Sequence, residues 1–181
     1  HFTWLREILA LNGINPDDHD LRCGAVADSR GPQPYTASSN ARAWWGQAVV
    51  KPGSGNLEGW VRYLGRRIRH RTARADGFTL DDLLSRHQVV DLIDLDVQGS
   101  ELRVLAASAQ LTTKVRRLYV ETHSRSIENG LRRLLSGLGW ERDLDYAIGS
   151  KVGTLYGVVD WDTGGAQAWT NPVLRNTTSS H

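Results

Sequence analysis

The segment DLIDLDVQGSELRVL, residues 91–105, sets Asp91, Asp94, Asp96 and Glu101 in or beside an apolar run. Buried carboxylates are costly unless something pairs with them or uses them. Asp94 and Asp96 lie two apart and share one face of an extended chain, as do Glu121 and His123 in VRRLYVETH, residues 115–123. Acids beside an imidazole could transfer a proton near neutral pH. Asp94, Asp96, Glu121 and His123 could also hold a divalent ion, but their spacing matches no dedicated metal motif, and no metal is expected. A single acid at a strand end is more often a helix cap or a solvated group. The combination carries the reading.

Those residues need strands that end on one rim. FTWLREILALNGI (2–14) has helical apolar spacing and stops at Asn12-Gly13. DLRCGAVAD (20–28) reads as a short buried strand ending at Asp28, with SRGP as its turn. TLDDLLSRH (79–87) is a short helix capped by Thr79, with Asp81 and Asp82 in its first turn. VVDLIDLDV is the next strand. SELRVLAASAQL follows as a helix whose Leu102, Leu105, Ala106 and Ala109 share a face. After the strand ending at His123, SIENGLRRLLSGLGW (126–140) carries Ile127, Leu131, Leu134, Leu135 and Leu138 as one stripe, stopped by Gly139. TLYGVVDWDTGGAQAWTNP (154–172) reads as a hairpin turning at Gly164-Gly165. This order predicts an α/β fold with a mostly parallel sheet and an antiparallel edge.

In open α/β sheets, ligands bind at the carboxyl ends of the strands. Asp28, the run Asp96-Val97-Gln98-Gly99, and Glu121-Thr122-His123 converge on one crevice if their strands are adjacent and parallel. Gly99 lets backbone approach a ligand closely. Glu101 falls in the first turn of the following helix, where its charge is favoured.

The 181 residues suffice for one domain with a sizeable core. With 40% hydrophobic and 23% charged residues, the composition is that of a soluble globular protein. The formal charge of +2 is too small to imply nucleic acid by itself, and Cys23 alone allows no internal disulfide. No stretch approaches the ~18 apolar residues of a membrane span, and no signal peptide is visible. The expected location is the cytoplasm, with no membrane partner. The chain begins at His1 and has no methionine, so further residues are expected upstream.

VDLIDLDVQGSELRVLAAS (90–108) resembles the strand-four motif of the FkbM-type methyltransferases: an apolar strand, Asp, an apolar residue, Glu or Gln, Gly, any residue, Glu, then a Leu-rich helix. RRLYVETHSRSIENGLRRLLSGLGW (116–140) is similar to the family's next strand and helix. LRCGAVADSRG resembles its third strand, and GGAQAWTNP its terminal hairpin. The likeness runs from Phe2 to Pro172, apart from a basic, tryptophan-containing insertion at about 37–77. Residues 1–172 are thus expected to form one domain, with 173–181 as a tail.

The resemblance implies a Rossmann-like class I methyltransferase sheet, N-terminally incomplete, that uses S-adenosyl-L-methionine. It implies O-methylation of a sugar-type or natural-product hydroxyl, with a small molecule or glycan as acceptor. Asp28 would lie near the adenine, and Asp96 near the methionine end and the acceptor, with Gln98 and Glu101 shaping that wall. His123 would take the acceptor's proton. The family's first strand, glycine-rich loop and ribose-binding acid all precede the segment matched at Phe2. A chain without them is expected to bind cofactor poorly and to be poorly soluble or oligomeric.

Arg62, Arg66, Arg67, Arg69, Arg71 and Arg74 form the one basic cluster, and phosphate neutralisation is the rival reading it offers. The near-balanced total charge and the lack of a nucleic-acid motif favour a solvated helix face or lid. Trp44, Trp45 and Trp60 lie in the insertion before the basic cluster and could stack on sugar rings. A methyltransferase-like module without chemistry is the other alternative.

Overall fold

The computed structural model describes residues 2–38, 49 and 70–175. Helix α1 (Phe2–Leu11) ends where Gly13 takes a φ of +75°. A 3-10 turn at Pro16–Asp18 leads to strand β1 (Ala25–Val26), then β2 (Gly31–Ser38) and β3 (His70–Phe78). Helix α2 (Leu80–Leu84), strand β4 (Ile93–Leu95), helices α3 (Glu101–Ala106) and α4 (Leu111–Lys114), and strand β5 (Arg117–Thr122) follow. Next come helix α5 (Arg125–Gly137) and strands β6 (Glu141–Tyr146), β7 (Lys151–Thr154), β8 (Gly157–Asp160) and β9 (Gly165–Thr170).

Four strands in the order β4-β5-β9-β6 make the sheet that carries the acids. β4 and β5 are parallel, with Leu95 opposite Val120, whereas β9 runs antiparallel to both β5 and β6. Leu118, Val120 and Thr122 are buried on alternate positions of β5. The core packs Leu95, Val104, Leu105, Leu111, Val115, Leu118 and Val120 against Ile127, Leu131, Leu135, Trp140 and Trp169. α3 and α5 meet closely at Gly130, where an added Cβ would come within 2.3 Å of Leu102 Cδ2.

The helices follow from local chemistry. Thr79 caps α2, as the sequence predicts, and Asp82 closes a reciprocal box with it. Asp81 reaches across to accept from Ser108 Oγ (2.5 Å) and from the backbone N–H groups of Ala109 and Gln110, which ties α2 to the entry of α4. In the α5 stripe Ile127, Leu131 and Leu135 are buried, Leu134 is partly so, and Leu138 is exposed. Gly139 stops the helix at a φ of +81°.

Four expectations need correction. The sheet is mixed rather than mostly parallel: β4–β5 and β1–β3 are the parallel pairs among the described strands, against four antiparallel ones. The strand before Asp28 is two residues long and its described ladder is with β3, in a separate sheet of order β1-β3-β2. Gly24 admits this contact, since a Cβ there would come within 2.6 Å of Asp76 O.

The C-terminal hairpin is also misplaced in the sequence reading. β8 pairs with β7 across the Leu155-Tyr156 turn, while β9 runs between β5 and β6 as an inner strand. Gly164-Gly165 therefore leads into a central strand. β6 has a weak local strand signal because four of the six residues of ERDLDY are charged; it takes its place from β9, with Arg142 over the Trp169 ring at 5.8 Å. Finally, Arg71 and Arg74, expected on a solvated helix face or lid, lie on strand β3, which pairs along its whole length with β2. Trp44, Trp45, Trp60, Arg62, Arg66, Arg67 and Arg69 lie outside the described residues.

Candidate active site

The parallel register of β4 and β5 sets Asp96 and His123 at one end of the sheet. Nε2 of His123 lies 3.5 Å from Asp96 Oδ1. On the other side of the ring, Nδ1 lies 2.8 Å from Glu101 Oε1. The His123 side chain is 8% exposed and that of Glu101 0%, while that of Asp96 is 45% exposed. The three form a line from surface to interior.

The loop between β4 and α3 makes this line possible. Gln98 takes a φ of +50° and Gly99 one of +94°, two successive left-handed residues that reverse the chain. Such a conformation costs a non-glycine residue about 1–2 kcal/mol, so Gln98 is held there by its surroundings. One of these is its own side chain, which donates from Nε2 to Asp96 Oδ1 at 2.7 Å. The reversal also turns the Glu101 carboxylate back onto the loop, where Oε1 accepts the Gly99 N–H at 2.8 Å. Glu101 Oε2 is buried with no hydrogen-bond partner.

A cavity of about 950 Å³ opens beside this loop, within the range of small-molecule sites. Asp96, Val97 and Gln98 line one side, and Phe2, Leu5, Arg22, Tyr35, Arg74 and Asp76 contribute elsewhere. Asp96 thus faces the cavity, with His123 and Glu101 behind it. Arg22 is itself committed to Asp20 at 2.9 Å and lies over the Phe78 ring at 5.6 Å.

Burial pulls the His123 pKa down, but the bond and charge of Glu101, aided by Asp96 and Glu121, more than offset it. The net direction is upward. Glu121 is raised as well, first by burial and then by the charge of Asp96. A carboxylate stands at each ring nitrogen of His123, Glu101 at Nδ1 and Asp96 at Nε2. Asp96, Glu101 and His123 offer donor atoms within 4.8 Å of one another, a set that could hold a cation. The carboxylates, however, stand at opposite ring nitrogens, which is the geometry of a hydrogen-bonded chain.

The predicted residues therefore separate. Asp96 and Gln98 line the cavity, and His123 joins Asp96. Glu101, expected on the cofactor wall, is instead fully buried, because the loop reversal directs its carboxylate to Gly99 and His123. Asp28 is not among the cavity-lining residues, and its Oδ2 lies 3.9 Å from Arg103. Asp91 forms a surface pair with Arg116, and Asp94 is exposed opposite Tyr119 on β5. Tyr35 and Asp76 carry no local sequence signal, and Arg74 belongs to the basic cluster; all three reach the cavity only through the long-range β2–β3 pairing.

Comparison with known proteins agrees with the motif. The chain is 28% identical over 141 residues to a protein of Jannaschia sp. (strain CCS1) named "Putative methyltransferase", covering 77% of this chain. The chain spans about half of that relative, 48% of its length. No solved structure matches. The model of the methyltransferase FkbM domain matches residues 9–148, which include the Asp96 loop, Glu101, His123 and helix α5. By that match the chain belongs to the FkbM methyltransferase domain family.

Proposed function

We propose that this protein is an S-adenosyl-L-methionine-dependent methyltransferase acting on a hydroxyl of a sugar-type or natural-product acceptor. The observation that carries the reading is Asp96, a half-exposed carboxylate on the cavity wall with the His123 imidazole behind it. A carboxylate at that position suits a ligand bearing a cationic sulfonium and an ammonium group. Asp96 and Gln98 are the residues that would hold its methionine end. Bound S-adenosylmethionine supplies an electrophilic methyl group. The chain's own residues must orient the acceptor oxygen and receive its proton as the oxygen–carbon bond forms. Orientation accounts for much of the acceleration in such reactions. His123 in its neutral form receives the proton at Nε2 by way of Asp96, which stands between it and the cavity.

The test is calorimetric titration of the full-length protein with S-adenosylmethionine, followed by transfer of a tritiated methyl group to a panel of hydroxyl-bearing sugars and polyketides. Saturable binding and label on oxygen are expected. Absence of binding overturns the cofactor, and label on nitrogen or carbon overturns the acceptor class.

A further inference from the structure

Glu101 is the best-buried acid of the site, and its carboxylate stands at the His123 ring rather than among the cavity-lining residues. The geometry assigns it instead as the positioning residue of His123: it fixes the proton on Nδ1 and leaves Nε2 as the ring's working nitrogen, aimed at Asp96. This rests on the proposed proton transfer at His123.

Three observations support it. Glu101 Oε1 receives Gly99 N–H and stands 2.8 Å from His123 Nδ1, so the carboxylate is anchored before it meets the ring. Second, a free neutral imidazole carries its proton on Nε2 more often, so the Nδ1–H form must be imposed. Third, Oε2 is buried without a partner. A half-satisfied buried carboxylate costs stability, so its position calls for an explanation beyond packing.

Among the described residues, the charged groups that act on the ring are Asp96 from the loop after β4, Glu101 from α3 and Glu121 from β5. All are acids, so the protonated ring is favoured and the neutral base becomes available only as pH rises. Removing the Glu101 charge lowers the histidine pKa and makes the base neutral at lower pH, but loosens its orientation.

Nitrogen-15 NMR of the full-length protein reads the tautomer directly and needs no activity. At pH values above the His123 pKa, the expected state is a protonated Nδ1 and a bare Nε2. In Glu101→Gln, which keeps the side-chain shape, the His123 pKa should fall by about one unit or more. The acid limb of the kcat profile should move to lower pH with it. Its plateau should drop by about 10²-fold, the lower end of what a general base contributes, with cofactor affinity unchanged. An Nε2–H tautomer in the wild type overturns the assignment even if the variant fails to fold. So does an unchanged His123 pKa in a folded Glu101→Gln. Broadening of the His123 signals by micromolar Mn²⁺ would make the trio a cation site and overturn it too. If the tautomer is as expected while S-adenosylmethionine does not bind, the proposed function fails and the positioning role stands.

Discussion

Asp96 Oδ1 lies 3.5 Å from Nε2 of His123, with Asp96 on the cavity wall and the imidazole behind it. The two residues therefore differ in what they can touch. In His123→Ala, turnover should fall by about 10²–10⁴-fold while cofactor affinity is retained. Asp96→Ala should lower both, because Asp96 meets whatever fills the cavity. Single-turnover rates and equilibrium titration separate the two outcomes. Full turnover in His123→Ala, with chemistry limiting, would return the proton to another group or to water.

The same histidine gives stability a defined pH dependence. Its folded pKa is raised by Glu101, Asp96 and Glu121 against the effect of burial, so the folded state binds the proton more tightly than the unfolded chain. The resulting stabilisation is fully present below the ordinary histidine value of about 6.5 and is lost as pH rises through the folded pKa. Denaturant melts of wild type and His123→Gln across this range should show a stability gap that is widest in acid and closes in base. A gap that widens with pH would contradict the raised pKa.

Gly165 begins β9 where no side chain fits. A Cβ there would lie 2.5 Å from Glu128 Oε1, 2.7 Å from Thr122 Oγ1 and 2.7 Å from Tyr146 O. Glu128 is buried and accepts the Ile148 N–H at 2.7 Å, so it cannot simply swing away. We expect Gly165→Ala to cost about 1–3 kcal/mol by forced repacking, measured by urea denaturation. A neutral result would mean that β9 shifts freely between β5 and β6.

Asp81 holds the start of α4 through Ser108, Ala109 and Gln110. Burial raises its pKa, but those three donors together outweigh burial and lower it. Asp81→Ala should destabilise the fold by about 1.5–3 kcal/mol, the range for hydrogen bonds to a charged group. The loss should shrink in acid as the wild-type carboxyl protonates. Chemical denaturation at neutral and acid pH measures both effects.

Helix α1 buries none of its residues, and Trp4 (58%) and Leu11 (85%) are exposed. The β7–β8 turn likewise presents Leu155 and Tyr156 almost fully to solvent. Contiguous exposed apolar surface favours association, and the 181-residue chain alone should self-associate at micromolar concentration. Light scattering after gel filtration would show this, with Trp4→Lys and Leu11→Lys together shifting the population toward monomer. A monodisperse monomer of the unmodified chain would overturn the expectation.

The sequence alone determined the elements with strong local signals. The stripe of α5, the cap at Thr79 and the stops at Gly13 and Gly139 depend on residues within a turn or two of one another. Their periodicity and cap chemistry are written locally. Asp96 and His123 were legible as partners because each follows an apolar strand, and parallel neighbours place such residues on the same rim. Tertiary structure decided the rest. GAQAWT could be an edge or a centre by its own pattern, and only pairing with both β5 and β6 made β9 internal. ERDLDY is mostly charged, with only Leu144 and Tyr146 alternating as apolar positions, and β9 offers it the ladder that makes it a strand. Glu101 reads as a first-turn acid, whereas its buried contact with His123 follows from two left-handed residues and the register of β4 on β5. Side-chain contacts across a sheet depend on long-range register, and no local pattern encodes that.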